Sequence, residues 1–393
     1  MPCTLVAVPS VYDTLRPKCL IAAPAFRRWI TAMAPHVCPT PQMSEGRALQ
    51  TWQSVCAMLT ILIAGGVIAM AKPARAQALA DVREWLLLLN NDLEPATVRR
   101  ISDTDLDMVV VDYLPSQPHH ANYPITETLA ALRRKPDGGR RLVLAYLNVG
   151  QAEDYRTYWQ KNWRRGNPNW ILMDDPDGWA GNFPVAYWRP EWQAIVRDLA
   201  SKIAQAGFDG VYLDWVAGYQ EPIVQRRASR DRVDPQAEMT RLVQAVRIQA
   251  RQAAPDFLII PQNPGPLATN HSFQAAFDGV AQESIWMTWA AGSPGTEGDC
   301  PVPRTASEAQ DPAFIEALPR RCRQARDSDS GSAMRFAGEE EHLPRLSSIL
   351  KSGKPVFTVD YALDGAHRAR IAERARLLGF KPFMGRKALN AVE

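Results

Sequence analysis

Gly207-Phe208-Asp209-Gly210-Val211-Tyr212-Leu213-Asp214-Trp215-Val216 (GFDGVYLDWV) holds the pattern on which the whole chain is built. A Gly-Phe-Asp-Gly turn leads into a short run, GVYL (210–213), that is apolar without alternation. Such runs read as strands covered on both faces, the habit of parallel sheets. The run then stops on an acid and an aromatic, Asp214-Trp215. Asp209 reads as a turn residue, since Asp readily caps its own backbone in tight turns.

Moving outward, the same unit recurs on both sides. Upstream lie WLLLL (85–89), MVVVDY (108–113), LVLAYL (142–147) and WILM (170–173); downstream lie FLII (257–260), GVA (279–281) and PVFTV (355–359). With GVYL these make eight predicted strands. Between them the spacing predicts helices over 190–206, opened by Pro190, over 237–254, and over 366–378, stopped by Gly379. Strand–helix alternation implies a parallel sheet. An open doubly wound sheet would share the rhythm, but neither a GxGxxG nor a Walker A pattern follows any strand. The expected fold is therefore α/β, a single (β/α)8 barrel over residues 79–393. A long excursion, 290–345, rich in Pro, Ser, Asp and Arg, separates its seventh and eighth predicted strands.

The strand ends carry the chemistry. Asp112 and Tyr113 close the second run, and Tyr146 lies in the third, which continues into Glu153, Asp154, Tyr155 and Arg156. Tyr187 and Trp188 precede the helix at 190. Asp214 and Trp215 close the fifth run, and Asn263 follows the sixth. Glu283 follows the seventh, with Trp286 and Trp289 beyond it; Asp360 and Tyr361 close the eighth. A barrel brings all these ends to one face, where barrel enzymes place their active sites. Carboxylates interleaved with rings suit a sugar, whose apolar face stacks on aromatics while its hydroxyls or amines bond the acids. Asp214 and Glu283, each just past a short strand, form the best pair for glycoside hydrolysis, which needs two carboxyl groups across the scissile bond.

These segments resemble glycoside hydrolase family 114, the endo-α-1,4-polygalactosaminidase-like barrels. The likeness rests on GFDGVYLDWV, LAYLNVGQAEDYR (144–156), VAYWRPEWQ (185–193), IIPQN (259–263), QES (282–284) and KPVFTVDYA (354–362). It is closest to the branch once labelled as related to cysteinyl-tRNA synthetase, although neither a HIGH-type nor a KMSKS-type motif is present. The resemblance implies hydrolysis of an α-linked amino-sugar polysaccharide with retained configuration. It implies Glu283 as general acid/base and Asp214 as nucleophile or oxocarbenium stabiliser. Glu283 should then occupy the drier surroundings, near Ile285 and Trp286, and Asp214 should stay ionised. The chain departs from the family at Ala217, where a second Asp is common, and in the length of the excursion. A non-catalytic carbohydrate-binding barrel is the alternative.

Charge and leader complete the picture. The net charge of +3 on 393 residues is misleading: residues 1–78 hold seven Lys/Arg against two Asp/Glu, leaving 38 against 40 beyond. No basic surplus remains to attract nucleic acid. VCAMLTILIAGGVIAM (55–70) is shorter than the ~20 residues of a membrane span and precedes Ala-x-Ala sites at 74–76 and 76–78. Residues 43–78 thus read as a signal peptide and 1–42 as a mis-called start or extension. The protein is expected to be exported to the periplasm or medium as a monomer, meeting a membrane only if the leader stays uncleaved. Cys3, Cys19, Cys38 and Cys56 lie in this leader. Cys300 and Cys322 remain, an even pair suited to a disulfide in an oxidising compartment. Their spacing fits no zinc motif, so neither metal nor cofactor is expected.

Overall fold

The computed structural model describes residues 74–176, 178–290, 298–327 and 334–392, all within the compact unit Ala71–Glu393. The leader up to residue 73, with its four cysteines, lies outside the described residues. Eight strands run parallel: β1 (Trp85–Leu88), β2 (Met108–Asp112), β3 (Leu142–Asn148), β4 (Gly210–Asp214), β5 (Leu258–Pro261), β6 (Val280–Glu283), β7 (Val356–Asp360) and β8 (Lys381–Met384). β1 to β5 pair consecutively, and β6, β7 and β8 form a second arc. A parallel bridge, Gln262 to Ala281, and the Asn263 N–H on the Ala281 carbonyl (2.9 Å) join the arcs on one side. On the other, Trp85 Nε1 donates to the Lys381 carbonyl (3.0 Å) and Leu89 N to that of Leu389 (2.8 Å). The ring is a (β/α)8 barrel.

Helices α1 (Ala74–Asp81), α2 (Pro95–Ser102), α3 (Ile125–Leu132), α4 (Pro190–Ala206), α5 (Pro235–Ala253), α6 (Gly338–Lys351) and α7 (Gly365–Leu378) surround it. Their ends follow local chemistry. Pro190 starts α4, and Gly207, at φ 102°, ends it in a left-handed turn that a side chain would strain. Asp234 and Asp364 accept the first free N–H groups of α5 and α7.

One predicted strand is not in the ring. Trp170–Met173 makes only an antiparallel bridge, Ile171 to Val185, within the β3–α4 connection. Its apolar character serves a separate cluster in which Trp170 meets Trp163 and Trp192 at 4.9 and 5.8 Å. The eighth place goes instead to Lys381–Met384, so the long excursion falls between the sixth and seventh strands of the ring. Among its described residues the excursion holds three short helices and a two-residue strand, Cys300–Pro301, that pairs antiparallel with Met287–Thr288 just before it. Cys300 and Cys322 are bonded there, with Cα atoms 5.4 Å apart, in a small apolar cluster with Leu318, Ala325 and Met334.

The lower rim explains Asp209. Fully buried, it is more than a turn residue: it accepts from Val143 N (3.0 Å) and Arg140 (2.6 Å) and pairs with Arg75 at 3.2 Å. Asp107 and Asp278 do the same beneath β2 and β6, accepting from Arg83 N (2.8 Å) and Ile259 N (3.0 Å). Each acid precedes an even strand and ties down the chain at its odd neighbour. Inside the ring, Trp85 meets Tyr212, Phe357 and Phe383 at 6.2, 5.4 and 5.5 Å. Four strands thus meet on one indole. Trp85→Ala should cost about 3–5 kcal/mol in urea unfolding; a loss below about 1 kcal/mol would mean that the ring interior is not packed in this way.

Candidate active site

At the upper rim, β4 delivers Asp214 and β6 delivers Glu283. Asp214 accepts from Tyr146 Oη (2.6 Å) on one oxygen and from Trp215 N (2.7 Å) on the other. Glu283 accepts from Tyr361 Oη (2.6 Å) and Asn263 Nδ2 (2.8 Å). Each carboxylate therefore has one phenol and one N–H donor, and both retain surface toward the cleft. Asn263 also accepts from Glu283 N (2.8 Å) and Gln282 Nε2 (2.9 Å), which fixes the backbone and the side chain of the acid together.

The backbone is constrained at the same places. Trp215, Asn263 and Ser284, each just past a ring strand, have φ of 59°, 47° and 54°. Left-handed non-glycine residues are uncommon and gather at functional sites. Trp215 fits because its neighbours are small: a Cβ on Gly150 would lie 2.5 Å from the Trp215 carbonyl oxygen, and one on Gly218 would lie 2.9 Å from its ring.

The cleft above the pair has a volume of about 500 Å³. Burial at the ring mouth pushes Asp214 up to about 7; the charges of Glu283 and Glu153 add to the rise, against the lowering by Tyr146 and Trp215 N. Against the expectation that Asp214 would stay ionised, its burial favours the neutral form. Ile285 is buried, but Trp286 turns outward to bond Glu339 (2.9 Å), so the proposed apolar neighbours do not converge on Glu283.

One wall is an ionic network. Arg156, buried, donates to Asp112 (2.8 Å), Ser116 (2.9 Å) and Glu153 (2.7 Å), and Tyr155 Oη donates to the second oxygen of Glu153 (2.8 Å). Burial opposes the charge on Arg156, and Asp112 and Glu153 outweigh that cost. Two acids against one arginine leave this wall negative.

Of the residues singled out from sequence, Asp112, Tyr146, Tyr155, Arg156, Asp214, Trp215, Asn263, Glu283 and Tyr361 line the cleft together. Glu153 stands behind Arg156. The others are elsewhere. Tyr113 packs on Phe208 at 6.0 Å, and Asp154 lies exposed, its N–H donating to the Gly181 carbonyl. Tyr187 bonds the Pro235 carbonyl (2.7 Å) and Trp188 bonds Asp231 (2.9 Å), both holding outer helices. Asp360 is fully buried, and one of its oxygens accepts from Trp286 N and Met287 N at 2.8 and 2.9 Å; it shapes the loop after β6. Sequence reasoning left out Asp92, Gln117, Trp179, Asn182 and Glu221, and it placed Gln151, Gln262 and Trp289 near strand ends without counting them as site residues. Gln262, beside Asn263 at a strand end, carried a usable signal, as did Trp289 beyond Glu283.

The chain matches the family described as Glycoside-hydrolase family GH114 over residues 71–393. An uncharacterized protein of Deinococcus radiodurans is 33% identical over 323 residues, covering 82% of this chain and 86% of that one. Another, of Thermotoga maritima, is 34% identical over 183 residues, 46% of this chain and 52% of its own length. Among solved structures, Aspergillus fumigatus Ega3 in complex with galactosamine superposes with a TM-score of 0.50 at 17% identity, covering 83% of this chain and 98% of that one. That likeness speaks to the fold.

The raised Asp214 has a thermodynamic signature. A carboxyl lifted from 3.8 to about 7 on folding gives its full stabilisation below the lower value and loses it as pH rises through the upper one. Asp214→Asn removes the buried charge, so its melting temperature should exceed that of the unsubstituted chain at about pH 8 and approach it near pH 4. A difference that does not change with pH would overturn the burial argument.

Proposed function

The chain belongs to glycoside hydrolase family 114, and from that premise we propose that it cleaves an α-linked, polygalactosamine-like amino-sugar polysaccharide with Asp214 and Glu283. The observation that carries this reading is the matched pair itself: two carboxylates at the ends of β4 and β6, each set by a tyrosine and an N–H donor in one cleft. Asp214 attacks the anomeric carbon as the bond to the leaving oxygen breaks, and Glu283 gives that oxygen its proton. Water then opens the glycosyl ester while Glu283 takes back a proton.

The lifted Asp214 suits a cationic substrate. Positive charge at the anomeric carbon, or on a nearby amine, opposes the burial and repulsion that raise it, so a bound sugar draws Asp214 toward its ionised form. The lining supports the same choice. Among the described residues, Asp92, Asp112, Asp214, Glu221 and Glu283 line the cleft with Arg156, which is already committed to its own acids, and Lys387 stands at the mouth. Each exposed carboxylate–amine contact contributes ~0.2–1 kcal/mol, so several along a chain add up to useful affinity.

Release of reducing ends from a galactosamine polymer tests the assignment. Asp214→Asn and Glu283→Gln should each lower turnover by orders of magnitude while leaving the fold intact; near-normal activity in either removes the pair. The pH dependence separates the roles. A nucleophilic Asp214 must be ionised, so kcat/KM should rise with pH through about 7. A rate that falls across that range would make Asp214 the acid instead.

We further infer that the protein is exported, with the mature chain starting near Gln77 or Leu79. Among the described residues no helix is long and apolar enough to cross a membrane. Leu79 is fully buried against the barrel, so either start keeps that contact. N-terminal sequencing of secreted material should find one of these starts; a full-length cytoplasmic product would exclude them.

A further inference from the structure

We propose that Trp179 and Trp289 form an ammonium subsite at the mouth of the cleft, which the chain's own Lys387 fills until the protonated amine of an amino sugar displaces it. The inference rests on the reading that the cleft takes a cationic glycan, and it assigns one point at which the amine is recognised.

The two rings come from different excursions, Trp179 from the β3–α4 connection and Trp289 from the chain after β6. Both line the cleft, their centroids are 6.5 Å apart at 73°, and Trp179 is 40% exposed. The Lys387 ammonium lies 3.7 Å from the Trp289 centroid and 5.1 Å from that of Trp179. Indole faces attract cations through their quadrupole, and more strongly as water is excluded. A lysine ammonium and a protonated hexosamine amine present the same charged group, so the slot that holds one has the chemistry to hold the other.

The backbone around Lys387 is held independently of its ammonium. Lys387 follows β8 on a segment pinned beside β1: the Ala388 carbonyl accepts from Asn90 Nδ2 (2.7 Å) and the Leu389 carbonyl from Leu89 N (2.8 Å). Those bonds do not involve the ammonium, so a change in the course of the four-carbon stem leaves them in place. An N-acetylated sugar has no charge for the rings and has an added acetyl group, so the subsite selects for the deacetylated chain.

Calorimetric titration of the full chain carrying Asp214→Asn, with a galactosamine oligomer and its N-acetylated counterpart, tests this. Trp289→Leu should weaken the deacetylated oligomer by about threefold to tenfold and leave the acetylated one within about twofold. The exposed Trp179→Leu serves the same purpose should Trp289 prove necessary for folding. Lys387→Met should tighten the deacetylated oligomer, and that gain should vanish when Trp289→Leu is also present. A gain that survives the loss of Trp289 would be a general charge effect and would overturn the subsite, as would equal weakening of both oligomers. If the unsubstituted chain neither binds nor cleaves either oligomer, the functional reading itself fails and takes the subsite with it.

Discussion

The closed ring of parallel strands is the constraint from which the site follows. Side chains alternate along a strand, so a residue two places beyond an interior one also points inward. Tyr212 lies inside against Trp85, and Asp214 follows it by two; Phe357 lies inside, and Tyr361 follows it by four. Strand register places Tyr146 beside Tyr212, Asn148 beside Asp214 and Val359 beside Glu283. Four large rings plug the barrel below this layer. The plug excludes water from beneath the carboxylates and leaves the cleft as their only wet side, which is why burial dominates the rise of Asp214.

Arg156 shows how the same mouth tolerates charge. A buried ion pair earns little stability on its own, because desolvation offsets most of the attraction. Here the guanidinium meets Asp112, Ser116 and Glu153, so its fork is satisfied on several sides. Removing it would leave Asp112 and Glu153 without their cation, and the rise of Asp214 already includes a contribution from Glu153. The arginine therefore holds in place Glu153, whose charge reaches Asp214.

Much of this was legible in the sequence, and the exceptions have physical causes. Seven ring strands showed as continuous apolar runs because both of their faces are covered. Trp170–Met173 showed the same signal for another reason, burial in a tryptophan cluster, and a run of apolar residues does not say what covers it. Lys381–Met384 was invisible as a strand because Pro382 sits inside four residues beginning with a lysine, a composition that reads as an edge or a turn. At the site, acids at strand ends were readable, but the direction of a side chain was not. Asp360 and Tyr361 are adjacent, yet the first points out to backbone amides and the second inward to Glu283. Period-two alternation separates them only once the inward face of β7 is known.

Trp179 and Trp289 illustrate a different limit, and it bears on how substrate preference is set. Neither lies on a ring strand, and their meeting depends on where two long connections fold back. The first is ordered by a tryptophan cluster of its own, and the second by the Cys300–Cys322 bond within a small apolar cluster. Such connections are free to change while the barrel persists. A likeness at 17% identity therefore speaks to the ring of strands and not to the connections at its mouth. The carboxyl pair belongs to the floor. In the proposed subsite, discrimination between an amine and an acetamide falls at the mouth, where two connections supply the rings and the segment after β8 supplies the lysine.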